Sequence, residues 1–145
     1  MVNGRELVRY SGFEKFGDQS NGTEHSALTA DEAKQFAHEW IEAWNSHDLE
    51  RILSHYDEAA ELTSPTAARL LGAPDGTVRG TANLRGYFQK GLQAYPELRF
   101  QLKDVLCGVR SVLLYYTNQN GTHTGEFMEL APSGKVTRVV ANYSA

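Results

Sequence analysis

The chain has 145 residues and a formal net charge of −4, with 41% hydrophobic and 10% aromatic side chains. This length and composition are typical of one domain with a single packed core, and no run of about 20 apolar residues is present to span a membrane. There is also no cluster of lysine and arginine that could follow a phosphate backbone, so we expect no nucleic acid partner.

Cysteine usage and the N-terminus bear on the compartment. The single cysteine, Cys107, cannot form a disulfide within the chain, and the N-terminus lacks the charged, apolar and small-residue regions of a secretion signal. These features indicate a cytoplasmic protein. No nucleophile signature surrounds Cys107, so we interpret it as structural.

The first part of the chain is predicted to be an arm followed by two helices. Residues 1–28 contain four glycines and no sustained period, which indicates a loosely ordered arm, and a single domain follows over 29–145. Thr29 and Glu32 have the spacing of a capping box, which predicts a helix start. Apolar residues then recur every three or four positions, at Phe36, Trp40, Ile41 and Trp44. Asp48 is expected to cap a second, short helix.

From Ala60 the hydrophobic period changes to two, which predicts a strand that Pro65 ends. Because proline has no N–H for the ladder, we expect this strand to be short or at an edge. Residues 66–79 are predicted to form an irregular, partly apolar loop over a cavity mouth. A third helix is predicted from Thr81 to Tyr95, with Pro96 closing it.

After Pro96 the pattern is that of four strands in a meander, over residues 98–103, 112–117, 122–130 and 136–143. Helices followed by such a meander predict an α+β fold, with three helices packed on the concave face of a curved antiparallel sheet. We expect the core on that concave face.

Four motifs carry a resemblance to a known family: AWNSHDLERILSHY at 43–56, the Ser-Pro pair at 64–65, VRGTANLRGYF at 78–88 and GKVTRVVANY at 134–143. With the order of elements, they resemble the nuclear transport factor 2-like superfamily, and within it the polyketide-cyclase-like (SnoaL-like) bacterial branch. The resemblance covers residues 30–145 and implies a cone-shaped sheet. The superfamily includes isomerases, dehydratases, cyclases, epoxide hydrolases and non-catalytic binding modules, so it implies no single activity.

The steroid-isomerase branch of that superfamily matches this chain only in part. The resemblance places its phenolic donor at Trp40, its general-base aspartate at Ser64 and its protonated aspartic acid at Glu126. A serine cannot take a proton from carbon unaided at neutral pH, and an indole cannot titrate, so we do not expect a steroid isomerase. The epoxide-hydrolase branch needs an Asp-Arg-Asp relay, and we cannot place two inward aspartates.

Glu126 is the main candidate for a catalytic residue. Strand parity puts it on the same face as Met128 and Leu130, while Phe127 and Glu129 point the other way. A carboxyl group in apolar surroundings has a raised pKa, which suits a general acid or a hydrogen-bond donor. The alternative is that Glu126 pairs with a buried arginine, tyrosine or tryptophan and only stabilises the core.

We expect a pocket for a flat or apolar ligand on the concave face. Its predicted ligand-binding residues are Trp40, Trp44, Tyr56, Tyr87, Met128 and Tyr143. For most of the aromatic residues, packing in the core is the alternative. Ser64 is predicted as a second catalytic residue near the substrate, and the alternative is that it caps a turn before Pro65.

Neither a metal nor a cofactor is expected. Five histidines are present, but no pair has the i, i+4 spacing of a helical metal site. Leu114, Tyr116, Phe127 and Val140 are predicted on the outer face of the sheet, where so much apolar surface favours a two-fold homodimer, as the resemblance also implies.

Two functional hypotheses follow. The first is a protein that binds a small hydrophobic or aromatic molecule and performs cofactor-independent acid–base chemistry of an isomerase, cyclase or dehydratase type. In it Glu126 donates the proton, and Trp40 and Tyr56 orient the ligand. The second is a non-catalytic ligand-binding or dimerisation module, which is motivated by the serine in the place of a base.

Overall fold

The computed structural model describes residues 27–144, so the arm predicted over 1–28 lies outside the described residues except for its last two positions. The helices of this part are α1 (Ala30–Ser46), α2 (Leu49–Leu53), α3 (Pro65–Leu71) and α4 (Thr81–Ala94). The strands are β1 (Tyr56–Thr63), β2 (Thr77–Arg79), β3 (Gln101–Cys107), β4 (Ser111–Thr117), β5 (His123–Leu130) and β6 (Val136–Tyr143). None of the helices over 27–144 has the length and apolar character needed to cross a membrane.

The six strands form one open sheet in the order β2-β1-β6-β5-β4-β3. The pair β1 and β6 is parallel, and every other neighbouring pair is antiparallel. The predicted α+β fold is therefore confirmed. The expectation of a short or edge position for β1 is wrong, because this strand has eight residues and lies between two partners.

Side-chain caps set the start of the first two helices as predicted. The Thr29 hydroxyl accepts from the Glu32 amide at 3.0 Å, and the Glu32 carboxylate accepts from the Thr29 amide at 2.9 Å. These two bonds satisfy amide groups that no helical carbonyl can reach. His47, with a φ of 61°, ends α1, and the Asp48 carboxylate caps α2.

The prediction of an irregular loop over residues 66–79 is wrong, because this segment contains most of α3 and all of β2. Pro65 occupies the first turn of α3, where its missing N–H has no helical partner to lose. The Ser64 hydroxyl accepts from the Thr66 amide at 3.1 Å, and Gly72 ends the helix with a φ of 66°. A serine, a proline and a later glycine were thus a complete set of helix signals.

The core lies between the helices and the inner face of the sheet. The largest fully buried side chains include Trp40, Ile52, Leu84, Phe88, Leu114, Met128 and Val139. Leu114 and Tyr116 are 0% and 3% exposed, so their predicted place on the outer face is wrong. The outer face instead carries a row of paired residues across four strands, which are Leu106, Leu113, Phe127 and Val140. The homodimer through that face stays a prediction.

Two side chains, Asn45 and His47, attach the end of α1 to the segment that leads into β3. The Asn45 amide donates from Nδ2 to the Phe100 carbonyl at 2.9 Å and accepts at Oδ1 from the Phe100 amide at 2.7 Å. His47 donates from Nε2 to the Leu98 carbonyl at 2.8 Å. These bonds satisfy backbone groups that no strand partner reaches, and they fix the position of residues 98–100 against α1.

We predict that Asn45→Ala lowers the free energy of unfolding by about 1–3 kcal/mol, because it leaves both backbone groups of half-buried Phe100 unpaired. Urea unfolding followed by circular dichroism measures this change. Asn83→Ala is the control, since its exposed amide makes one bond, to the Arg79 carbonyl, and a loss within about 0.5 kcal/mol is expected. Equal losses in the two variants would contradict the attachment.

Candidate functional site

A cavity of about 320 Å³ lies between the inner face of the sheet and helices α1, α3 and α4. Its apolar and aromatic wall is formed by Trp40, Trp44, Leu62, Tyr87, Phe88, Gly91, Leu98, Phe100, Tyr116 and Ala141. The polar residues that line it are Ser64, Thr66, Arg69, Tyr95, Asn118, Gln119, Asn120, Thr122, Thr124, Glu126 and Tyr143. A concave site with an apolar, aromatic wall and polar groups that can orient a molecule is typical of small-molecule binding.

Most of the residues predicted for the site meet at this cavity. Glu126, Ser64, Trp40, Trp44, Tyr87 and Tyr143 all line it. Tyr56 and Met128 do not line it, and their predicted role in binding a ligand stays a prediction. Tyr56 instead accepts from Trp40 Nε1 at 3.0 Å and so fixes the indole ring, and Met128 is fully buried in the core.

Glu126 projects from β5 into the cavity and is only 6% exposed. Its Oε1 accepts a hydrogen bond of 2.5 Å from the Tyr116 hydroxyl. Burial raises the pKa of the Glu126 carboxyl from 4.5 to about 7, because the charged form loses its hydration, and the bond from Tyr116 acts in the opposite direction. Both protonation states of this group are therefore populated near neutral pH.

Tyr116 is the residue in contact with Glu126 that the sequence analysis placed on the wrong face of the sheet. Residues 112–116 are all apolar or aromatic, so a period of two cannot decide which of them face inward. The register decides it, because Leu114 pairs with Glu126 and Tyr116 pairs with Thr124. Tyr116 therefore shares the inner face with Glu126 and reaches it diagonally.

Tyrosine hydroxyls around Glu126 remain neutral donors. Burial raises the pKa of Tyr56 and Tyr116, and the negative charge of Glu126 raises it further. Burial also raises the pKa of Tyr87 and Tyr143, and Glu126 again acts in the same direction. Of the described residues that line the cavity, Glu126 is thus the one that changes charge near pH 7.

The Ser64 hydroxyl is one of a small group of neighbouring hydroxyl groups, and its surroundings are not those of a nucleophile. Its Oγ accepts from the Thr66 amide as the cap of α3 and lies 3.1 Å from the Tyr143 hydroxyl. Thr66 Oγ1 donates to the same tyrosine oxygen at 3.2 Å. Gly76 packs below, where an added Cβ would lie 2.9 Å from the Ser64 carbonyl oxygen. The geometry favours the capping interpretation of Ser64 over a catalytic one.

Stacked rings form the wall nearest Glu126. Trp40 stacks on Phe100 with ring centroids 5.9 Å apart, and Phe100 lies 4.4 Å from Tyr116. On the other side, Trp44 meets Phe88 edge-on at 4.9 Å. These rings contribute apolar surface that keeps water from the carboxyl group and can pack against a flat ligand.

Comparisons with known proteins place the chain in a family. Residues 37–141 match the model of the SnoaL-like domain. The chain belongs to the SnoaL-like domain family. A SnoaL-like protein of unknown function from Burkholderia thailandensis is similar to it at 36% identity, over 82% of this chain and 99% of that one, with a TM-score of 0.79. Comparison with curated protein sequences gave no match.

More distant structures share the fold of this SnoaL-like chain. One is SalBIII, an epoxide hydrolase/cyclase-like enzyme with a role in pyran ring formation in polyether salinomycin. It is 18% identical to this chain with a TM-score of 0.64, and the match covers 81% of this chain and 94% of SalBIII. An NTF2-like protein of unknown function from Cytophaga hutchinsonii has 15% identity and a TM-score of 0.60, over 77% and 89% of the two chains. At these identities the likeness concerns the fold alone.

The described residues contain no cluster of metal-binding side chains, and Cys107 does not line the cavity. Among residues 27–144 no three histidine, cysteine, aspartate or glutamate side chains are grouped to hold a metal ion. The Cys107 thiol donates to the Leu28 carbonyl at 3.4 Å, and burial raises its pKa, which disfavours the reactive thiolate. That the SnoaL-like protein works without a cofactor stays a prediction.

We predict that the raised pKa of Glu126 makes folding stability fall as pH rises from about 5 to 8. Between 4.5 and about 7 the unfolded chain releases this proton while the folded chain keeps it, so unfolding becomes more favourable. The free energy of unfolding of wild type minus that of Glu126→Gln should fall by about 3 kcal/mol over this range in urea titrations. Glu129→Gln, on the opposite face of β5, is the control, and a flat difference for Glu126→Gln would contradict the assignment.

We predict that Tyr116→Phe raises the pKa of Glu126 above about 7, because the bond from Tyr116 stabilises the carboxylate. Carbon-13 NMR of labelled glutamate carboxyl groups measures the midpoint directly. Tyr115→Phe is the matched control, since its hydroxyl is bonded to His123 on the outer face. An unchanged midpoint in Tyr116→Phe would show that the hydrogen bond does not tune Glu126.

Proposed function

We propose that this SnoaL-like protein binds a small hydrophobic or aromatic molecule in the cavity and transfers a proton with Glu126, without a cofactor. The observation that supports this most directly is a single carboxyl group, almost fully buried on the cavity wall, with a pKa of about 7. A pKa near the working pH is what a general acid or base needs, because both of its forms are then available.

The proposed chemistry is a proton shift within one ligand. The ionised Glu126 takes a proton from a carbon next to a carbonyl group. The C–H electron pair forms a C=C bond and the carbonyl π pair moves onto oxygen, which gives an enolate. The protonated Glu126 then returns the proton to another atom of the same molecule, which gives an isomer. If the protonated Glu126 instead gives its proton to a hydroxyl group on the β-carbon, that C–O bond breaks and the products are an α,β-unsaturated carbonyl compound and one water. A second hydroxyl group of the same molecule then closes a ring: its oxygen bonds to the β-carbon, and Glu126 carries its proton to the α-carbon.

Neutral hydroxyl groups support this chemistry. The Tyr143 and Tyr87 side chains line the same cavity as Glu126 and keep their protons because their pKa values are raised by burial. Such donors stabilise negative charge on a ligand oxygen during enolate formation without giving up a proton. Trp40 is held by Tyr56 and supports the aromatic wall by stacking on Phe100.

The second candidate function is binding without conversion. It is favoured by Ser64, which stands where the steroid-isomerase branch has its base and whose hydroxyl is engaged in capping α3. Of the described residues that line the cavity, Glu126 is the one carboxyl group, so a reaction that needs a separate acid and base has no second partner there. A ligand-binding module needs only the cavity.

We predict that the protein accelerates exchange of the α-protons of 2-tetralone in deuterated buffer, which proton NMR follows as signal loss. This flat bicyclic ketone suits the aromatic wall. The rate should rise with pH through about 7, as Glu126 ionises, and fall by about 10²-fold in Glu126→Gln. Glu129→Gln is the matched control and should exchange at the wild-type rate.

The same samples distinguish the two functions. Broadening of the 2-tetralone signals without exchange above the buffer rate would favour the binding module. Equal exchange rates in wild type and Glu126→Gln would contradict proton transfer by this residue.

A further inference from the structure

One charged residue of the cavity has no role in proton transfer. Arg69 lies on α3, with its side chain exposed, and lines the cavity together with Tyr95 from the end of α4. Its Nη2 donates to the Tyr95 hydroxyl at 2.8 Å. Because it is both exposed and part of the cavity wall, Arg69 marks the mouth of the site.

The charge of Arg69 is uncompensated within the part of the chain that the structure describes. Arg51, Arg79, Arg85 and Arg138 each pair with a carboxylate there, whereas Arg69 makes no ion pair over residues 27–144. It is also the one lysine or arginine among the described residues that line the cavity. Its bond to Tyr95 uses one N–H of the guanidinium, so others remain to bind a planar anion such as a carboxylate.

The positive charge reaches into the cavity. Burial raises the pKa of the Tyr143 hydroxyl, and the charge of Glu126 adds to this, while bonds from Ser64 and Thr66 and the charge of Arg69 act in the opposite direction. Tyr143 thus feels Arg69 at the mouth and Glu126 deeper inside. Among the described residues, the cavity thus carries one cationic side chain and one carboxyl group.

A purely structural role of Arg69 accounts for only part of this arrangement. Arg69 lies in the last turn of α3, where a positive charge stabilises the helix dipole. That effect requires only a charge near the helix end. It does not require the guanidinium to be held by Tyr95 on the wall of a cavity.

We infer that the natural ligand is a small aromatic or apolar carboxylate whose anionic group binds Arg69 and Tyr95 at the mouth, with its apolar body along Phe100 and its reacting end at Glu126. This inference rests on the proposed function, because it assigns the substrate class of the same site. A cavity of about 320 Å³ is near the lower limit of ligand pockets, which suits a molecule of one or two rings.

The test compares 2-naphthoate with 2-naphthamide, which have the same ring system and differ in charge. Isothermal titration calorimetry is done at pH 6, where the naphthoate is ionised and Glu126 is mostly neutral, so that Glu126 does not repel the anion. We expect wild type to bind the naphthoate about tenfold more tightly than the amide. Arg69→Gln should remove this preference, and Arg69→Lys should restore part of it, because lysine keeps the charge but not the planar fork.

Arg79→Gln is the matched control, since it removes the same charge from a side chain whose ion pairs with Asp75 and Glu61 lie away from the cavity. It should keep the wild-type preference. Equal affinity of wild type for the two compounds, or a preference that survives in Arg69→Gln, would overturn the inference. Binding of neither compound would overturn it as well, and circular dichroism of each variant excludes misfolding as the cause of a loss.

The 2-tetralone experiment on wild type separates this inference from the proposed function. If exchange occurs but the naphthoate is not preferred, the carboxylate inference is wrong and proton transfer stands. If the naphthoate is preferred but exchange does not occur, proton transfer is wrong and the anion site stands.

Discussion

The site depends on the removal of one carboxyl group from water. Glu126 is buried on the inner face of the sheet beside Tyr116, whose ring packs against Trp40 and Phe100, so its charged form has little hydration and one strong donor. The balance between these two effects puts its pKa at about 7 rather than 4.5. Other features of the cavity either maintain this dry environment or give access to it.

A few side-chain hydrogen bonds hold the residues around the cavity in place. Asn45 fixes Phe100, Tyr56 fixes Trp40, and Ser64 fixes the start of α3. Each attachment joins a helix or its cap to a segment that lines the cavity or supports its wall. Asn45 and Tyr56 thus hold the rings of Phe100 and Trp40 in place through hydrogen bonds, and the second of these bonds lies within the core.

The sequence was sufficient to predict the helices and strands that have strong local signals. It was insufficient to predict which face of the sheet a residue occupies where only the strand register determines it. The capping box at Thr29, the cap at Asp48 and the four-strand meander are local patterns, and the structure confirms them. The inward direction of Glu126 followed from its polar and apolar neighbours. Tyr116 could not be assigned, because its strand is apolar on both faces and only its pairing with β5 separates them.

Other differences have equally specific causes. Pro65 was interpreted as the end of an edge strand, but its lack of an N–H is harmless in the first turn of a helix, so β1 can lie inside the sheet. Tyr56 and Met128 are both buried, yet neither lines the cavity. Whether an inward residue touches the cavity or supports it depends on packing depth, which periodicity does not encode.

The double use of Ser64 has a consequence for how this scaffold can change its chemistry. The residue starts α3 with its side chain and also faces the cavity. Aspartate caps helices about as well as serine, so a carboxylate can replace the hydroxyl at this position without loss of the helix start. One codon therefore separates a cavity with a single acidic group from one with two, and reactivity can diverge while the architecture is conserved.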